Sequence, residues 1–107
     1  MSEGFSIESG GAARTALSGA LTFATAELAY QAGLRVLGAP VAGVRTFDCG
    51  GVAEADSAGL AVLLDWRREA LVRGVELRFE NVPDSIARLA RISGVEPLLV
   101  GVSVTAA

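Results

Sequence analysis

Residues Phe5-Ser6-Ile7-Glu8 alternate apolar and polar, the period of a short edge strand with one covered face. Arg14 to Leu21 reads as a second strand, and the Gly10-Gly11 pair between the two predicts a hairpin. The period then changes. Leu28, Ala32 and Val36 recur at helical spacing, with Thr22 and Thr25 as candidate caps, Glu27 in the first turn and Gly38-Ala39-Pro40 as the stop. Val44 to Cys49 carries β-branched and aromatic residues and predicts a third strand, closed by a tight Gly50-Gly51 turn. Ser57 to Arg73 is the most strongly marked helix, ended at Gly74, with Leu60, Leu63, Leu64, Ala70 and Leu71 as its expected core stripe. Arg67 interrupts that stripe, its long stem expected to carry the charge out to solvent.

Val75 to Phe79 alternates as a fourth strand. Asn81 and Pro83 open a third helix with Ile86, Leu89 and Ala90 inward and Gly94 at its close. Leu98 to Val104 predicts a last strand or extended segment. A hairpin followed by alternating helices and strands implies an α/β fold with a mixed, mainly parallel sheet. At 107 residues the expected organisation is a single domain, residues 1–107.

Composition sharpens the functional picture mainly by what it removes. There is no histidine, and all nine basic residues are arginines. The commonest general base, the usual zinc ligand, the P-loop lysine and the Schiff-base lysine are therefore missing. No catalytic residue, metal site or cofactor is expected. A net charge of −3 argues against nucleic acid, which selects basic faces. The uncharged stretches Thr15–Ala26 and Pro97–Ala107 are shorter than the ~20 apolar residues of a membrane span, so direct membrane insertion is not expected. Met1-Ser2-Glu3-Gly4 lacks the basic start of a secretion signal, and the single Cys49 fits a reducing cytoplasm as an inert core residue. The 51% hydrophobic content hints at a surface that a partner covers, although much of it is alanine.

Attention falls on Asp56-Ser57-Ala58-Gly59, where a strand hands over to a helix. Backbone N–H groups there have no intrahelical partner and the helix dipole favours negative charge. Ser57 has two readings: a helix cap or first-turn residue, or a phosphorylation or contact residue. Asp48, Glu54 and Asp56 read as an acidic group near one sheet end, either a solvated rim or a cation site. Val62 and Trp66 lie off the leucine stripe. They either broaden the buried face or form an apolar surface patch continuous with Gly59.

Asp48 followed by Asp56-Ser57-Ala58-Gly59-Leu60-Ala61-Val62-Leu63-Leu64 resembles the STAS domain, the fold of anti-sigma-factor antagonists. Leu17 to Ala26, Phe47 to Val52, and Phe79 to Pro83 with Leu89-Ala90 extend the likeness over nearly the whole chain. Within that superfamily it is most similar to the MlaB group, small cytoplasmic subunits of bacterial ABC transporters that move phospholipids to maintain outer-membrane lipid asymmetry. The resemblance implies a non-enzymatic protein, held at the inner membrane through the transporter's ATP-binding subunit, with a homodimer left open. It places Ser57 at the hydroxyl that is phosphorylated in anti-sigma antagonists and contacts the ATPase in MlaB proteins. It favours the contact reading of Ser57, with Asp56, Ala58, Gly59, Val62 and Trp66 around it as the partner surface. The alternative is an anti-sigma-factor antagonist switched by phosphorylation of Ser57. Arg67 departs from the apolar pattern expected on this helix.

Overall fold

The computed structural model describes residues 4–9, 13–39, 43–99 and 102–104. Strands β1 (Phe5–Ser9) and β2 (Arg14–Leu21) pair antiparallel, from Phe5 opposite Gly19 to Ser9 opposite Thr15. The expected Gly10-Gly11 turn lies outside the described residues. Helix α1 (Ala26–Leu37) leads to β3 (Arg45–Ala55), α2 (Ser57–Arg73) to β4 (Leu77–Val82), and α3 (Asp84–Ile92) with a short 3-10 turn, Glu96–Leu99, to β5 (Val102–Val104). All pairings after the first are parallel, and the sheet order is β1-β2-β3-β4-β5. Strands that advance in one direction through crossovers of one hand put their helices on one face. Leu17, Phe47, Leu77 and Phe79 point into that layer, and the opposite face presents Arg14, Ala16, Ser18 and Arg78 to solvent.

The third strand differs from expectation. Gly50-Gly51 makes no turn; β3 continues through the pair to Ala55. From Arg14 to Leu21 is seven steps along β2, whereas the partners Thr46 to Ala55 are nine steps along β3, so β3 carries two extra residues as bulges. Small residues at Gly50, Gly51 and Ala53 let the strand bulge without losing its neighbour. Burial shows the consequence: Phe47 and Cys49 face the helices, Gly50 and Gly51 are both exposed, and burial resumes at Val52. The fourth strand begins at Leu77, two residues later than the alternation suggested, and the final segment splits into the 3-10 turn and β5. Thr25 precedes α1 without capping it through its side chain. Its hydroxyl serves the preceding turn, within 2.9 Å of Ala20 O and accepting from Thr22 N at 3.0 Å.

Trp66 is the centre of the core and is fully buried. Its ring meets Phe47 edge-on at 5.1 Å and Phe5 at 6.4 Å, while Nε1 donates to Tyr30 O at 3.1 Å. It lies directly over Gly33 of α1, where an added Cβ would stand 2.1 Å from Nε1. The buried stripe of α2 is thus Gly59, Val62, Leu63, Trp66 and Ala70, with Leu60 at its edge. This corrects the expected leucine stripe: Leu71 is 68% exposed and Leu64 only half-buried. The face is rotated toward α1, because α2 packs on that helix as well as on the sheet. Arg67 lies at the margin of the stripe, and its Nη1 donates to Leu77 O at 3.0 Å, bracing α2 against the start of β4.

Two substitutions test this packing. Gly33→Ala should destabilise by about 1–3 kcal/mol through overpacking against Trp66, and Leu63→Ala by about 2–5 kcal/mol through the cavity it leaves. Denaturant melts followed by Trp66 fluorescence measure both; a neutral Gly33→Ala would contradict the α1–α2 contact.

Candidate functional site

The site is the place where β3 ends and α2 begins. Asp56 is in extended conformation and is the helix cap: one carboxylate oxygen accepts from Ala58 N at 2.9 Å and Gly59 N at 3.3 Å. The other accepts from Phe23 N at 3.1 Å, tying the loop between β2 and α1 to the start of α2. Gly59 presses this first turn onto the end of β2, since a Cβ there would stand 2.4 Å from Leu21 O. Of the structural reading of Ser57, the cap is therefore corrected and the first-turn position holds. The Asp56 carboxylate takes the Ala58 and Gly59 amides, and Ser57 is the exposed first residue of the helix. Among the described residues, nothing hydrogen-bonds its hydroxyl.

The other members of the expected surface divide. Ala58 is half-buried beside Ser57, and Asp56 is half-buried and engaged as described. Val62 and Trp66 are buried beneath α2, which corrects the expectation of a surface patch: their area holds α1 to α2 instead. Gly59 is likewise buried, so its missing side chain makes room for β2 and not for a partner. Two exposed side chains that the sequence did not single out stand in the same neighbourhood. Phe23, 85% exposed, projects from the loop that Asp56 holds, and Ala61 lies one turn after Ser57. An aromatic residue flanked by threonines in a turn was the available signal for Phe23.

The expected acidic group separates. Asp48 and Asp56 are eight positions apart on the 11-residue β3 and its exit, on the order of 25 Å of strand. Asp48 lies on the open sheet face, where it accepts from Asn81 Nδ2 at 3.0 Å, Gly50 N at 2.9 Å and Arg14 at 3.0 Å. The Asn81 amide, the Gly50 N–H and then Arg14 hold its carboxyl below the usual carboxylate range. Arg14 also pairs with Glu80 at 2.8 Å. These carboxylates brace neighbouring strands, and among the described residues no three metal-ligating side chains converge. Cys49 is buried, and desolvation pushes its thiol up to about 12, leaving it without thiolate character.

The cap assignment has a direct check. Asp56→Ala should cost about 0.5–2 kcal/mol, the range for losing an N-cap, while Ser57→Ala should stay within about 0.5 kcal/mol of wild type. Thermal or denaturant melts ranking the two in the reverse order would contradict it.

This arrangement has structural relatives. The murine solute carrier 26 family member A9 anion transporter contains a matching portion, with a TM-score of 0.69 and 18% identity over 92% of this chain and 17% of that one. The chain thus spans about a sixth of that transporter. The anti-sigma factor antagonist SpoIIAA in its unphosphorylated form matches with a TM-score of 0.67 and 15% identity, over 94% of this chain and 88% of that one. At these identities the likeness is one of fold. No curated protein matches the sequence. A family model described as "Mlab, STAS domain" matches residues 7–101, most of the chain, including the whole of the Ser57 site. The chain belongs to the MlaB family of STAS domains.

Proposed function

We propose that this chain is a non-enzymatic accessory subunit that docks on the ATP-hydrolysing subunit of a phospholipid-transporting ABC transporter, which serves outer-membrane lipid asymmetry. One observation carries the reading: Ser57 stands exposed at the start of α2 with a hydroxyl unengaged among the described residues, because Asp56 has taken the capping role. A small polar group on a rigid helix start, with Phe23 and Ala61 beside it, offers a partner one hydrogen bond within an apolar contact. Membership of the MlaB family supports a transporter partner. Among the described residues no helix is long and apolar enough to cross a membrane, so the subunit would reach the inner membrane from the cytoplasm through its partner.

Binding without catalysis agrees with the chemistry present. The chain has neither histidine nor lysine, and its one thiol is buried and protonated. The purified chain should show no hydrolase or nucleotide-hydrolysing turnover. Reproducible turnover abolished by Ser57→Ala would contradict this.

The second reading, an anti-sigma-factor antagonist switched by phosphorylation, draws on the same exposed hydroxyl and on the fold shared with SpoIIAA. A phosphate on Ser57 would put about two negative charges next to the Asp56 carboxylate and into any contact made there. The two readings separate by partner: binding to a transporter ATPase supports the first, and phosphate transfer to Ser57 by a serine kinase the second.

Ser57→Glu is the decisive variant. Its charge is solvated in the free protein and lies at the favourable end of the helix dipole, so melts should remain within about 0.5 kcal/mol of wild type. In the complex the same carboxylate would be buried without a partner, which is costly. Pull-down by the transporter ATPase should therefore be lost, and undiminished binding would place the interface elsewhere.

A further inference from the structure

On the side of α2 away from α1, a groove of about 400 Å³ runs between the helix and the 3-10 turn. Leu64, Leu71, Pro97 and Leu98 line it, with Leu71 68% and Leu98 57% exposed. Such leucines in one concave surface are an unpartnered apolar site, distinct from scattered surface apolar residues. Arg67 and Arg68 stand on its rim, with Asp65 offsetting one of the two charges. Arg67 is fixed by its bond to Leu77 O, and Arg68 has no partner among the described residues. The groove is therefore apolar along its floor and cationic at its edge.

That charge pattern selects the occupant. A segment with apolar side chains and a carboxylate satisfies both features at once. We propose that this groove receives a short amphipathic, acidic segment of a partner protein, with Leu71 and Leu98 taking its apolar side chains and Arg68 its carboxylate. Leu64 and Arg68 continue the exposed stripe of α2 that begins at Ser57 and Ala61, so the groove adjoins that surface; its variants leave Ser57 and Phe23 untouched, and the peptide test needs no ATPase.

Random 12-residue peptides displayed on phage and selected against the full chain provide the probe, and selected sequences made synthetically are titrated calorimetrically. The selected peptides should combine leucine or phenylalanine with aspartate or glutamate. Leu71→Ser and Leu98→Ser should each weaken binding by about ten-fold or more, and Arg68→Glu by a similar factor. These side chains are exposed, so thermal melts of all three variants should match wild type. The discriminating arm is a charge swap: a peptide whose acidic residue is changed to lysine should lose binding to wild type and regain it with Arg68→Glu. Peptides that bind the variants as well as wild type overturn the proposal, as does a selection dominated by basic sequences. A wild-type dimer in solution that Leu71→Ser dissociates also overturns it, by showing that the groove is filled by a second copy.

Discussion

The packing of Trp66 on Gly33 is the contact on which the rest of this structure depends. A tryptophan in the middle of α2 fits against α1 only because that helix has no side chain at residue 33, and the indole N–H is satisfied by Tyr30 O. The ring then continues the aromatic row Phe5, Phe47 and Phe79 across the sheet. This fixes the rotation of α2 about its own axis. With Trp66 facing inward, Ser57 and Ala61 must face outward, and Leu71 is left at the surface. The exposure of the candidate site is thus a consequence of core packing more than ten ångströms along the helix, at about 1.5 Å per residue.

A second constraint acts at the helix start. One carboxylate, Asp56, satisfies the amides of α2 and also holds the loop that carries Phe23. The two neighbours differ in what they hold: the Asp56 carboxylate is committed to backbone amides, and the Ser57 hydroxyl makes no hydrogen bond among the described residues. A serine that capped the helix would have its oxygen committed and would be a poorer contact residue.

The fold class and the order of elements were legible because the change of hydrophobic period marks each strand-to-helix boundary. The bounds of β2 and α2 agree with the sequence reading, and Gly74 ends α2 in the left-handed conformation expected of it. What stayed hidden depends on neighbours distant in sequence. The Gly50-Gly51 pair has the local signature of a turn, and only pairing with β2 makes it a bulge. A helical wheel gives the width of a buried face but not its centre, so Val62 and Trp66 could be read as surface until α1 was in place. Arg45 is similarly opaque: a buried arginine in a strand whose Nη2 donates to Ala39 O has no signal in one dimension. At the candidate site, the place of Ser57 at the helix start was legible from type and position, whereas the cap at Asp56 and the prominence of Phe23 required the loop geometry.

On the proposed function, a partner approaches the helical layer around Ser57 and not the open sheet face bearing Arg14, Asp48 and Arg78. Site-specific photo-crosslinking measures this most directly. A photoreactive residue is placed either at Ala61, exposed one turn beyond Ser57, or at Arg78, exposed on the opposite face of the sheet. Irradiation in the presence of the proposed partner, a transporter ATP-hydrolysing subunit, should give a crosslinked product from position 61 and none from position 78. A product from position 78 with none from position 61 would contradict the account.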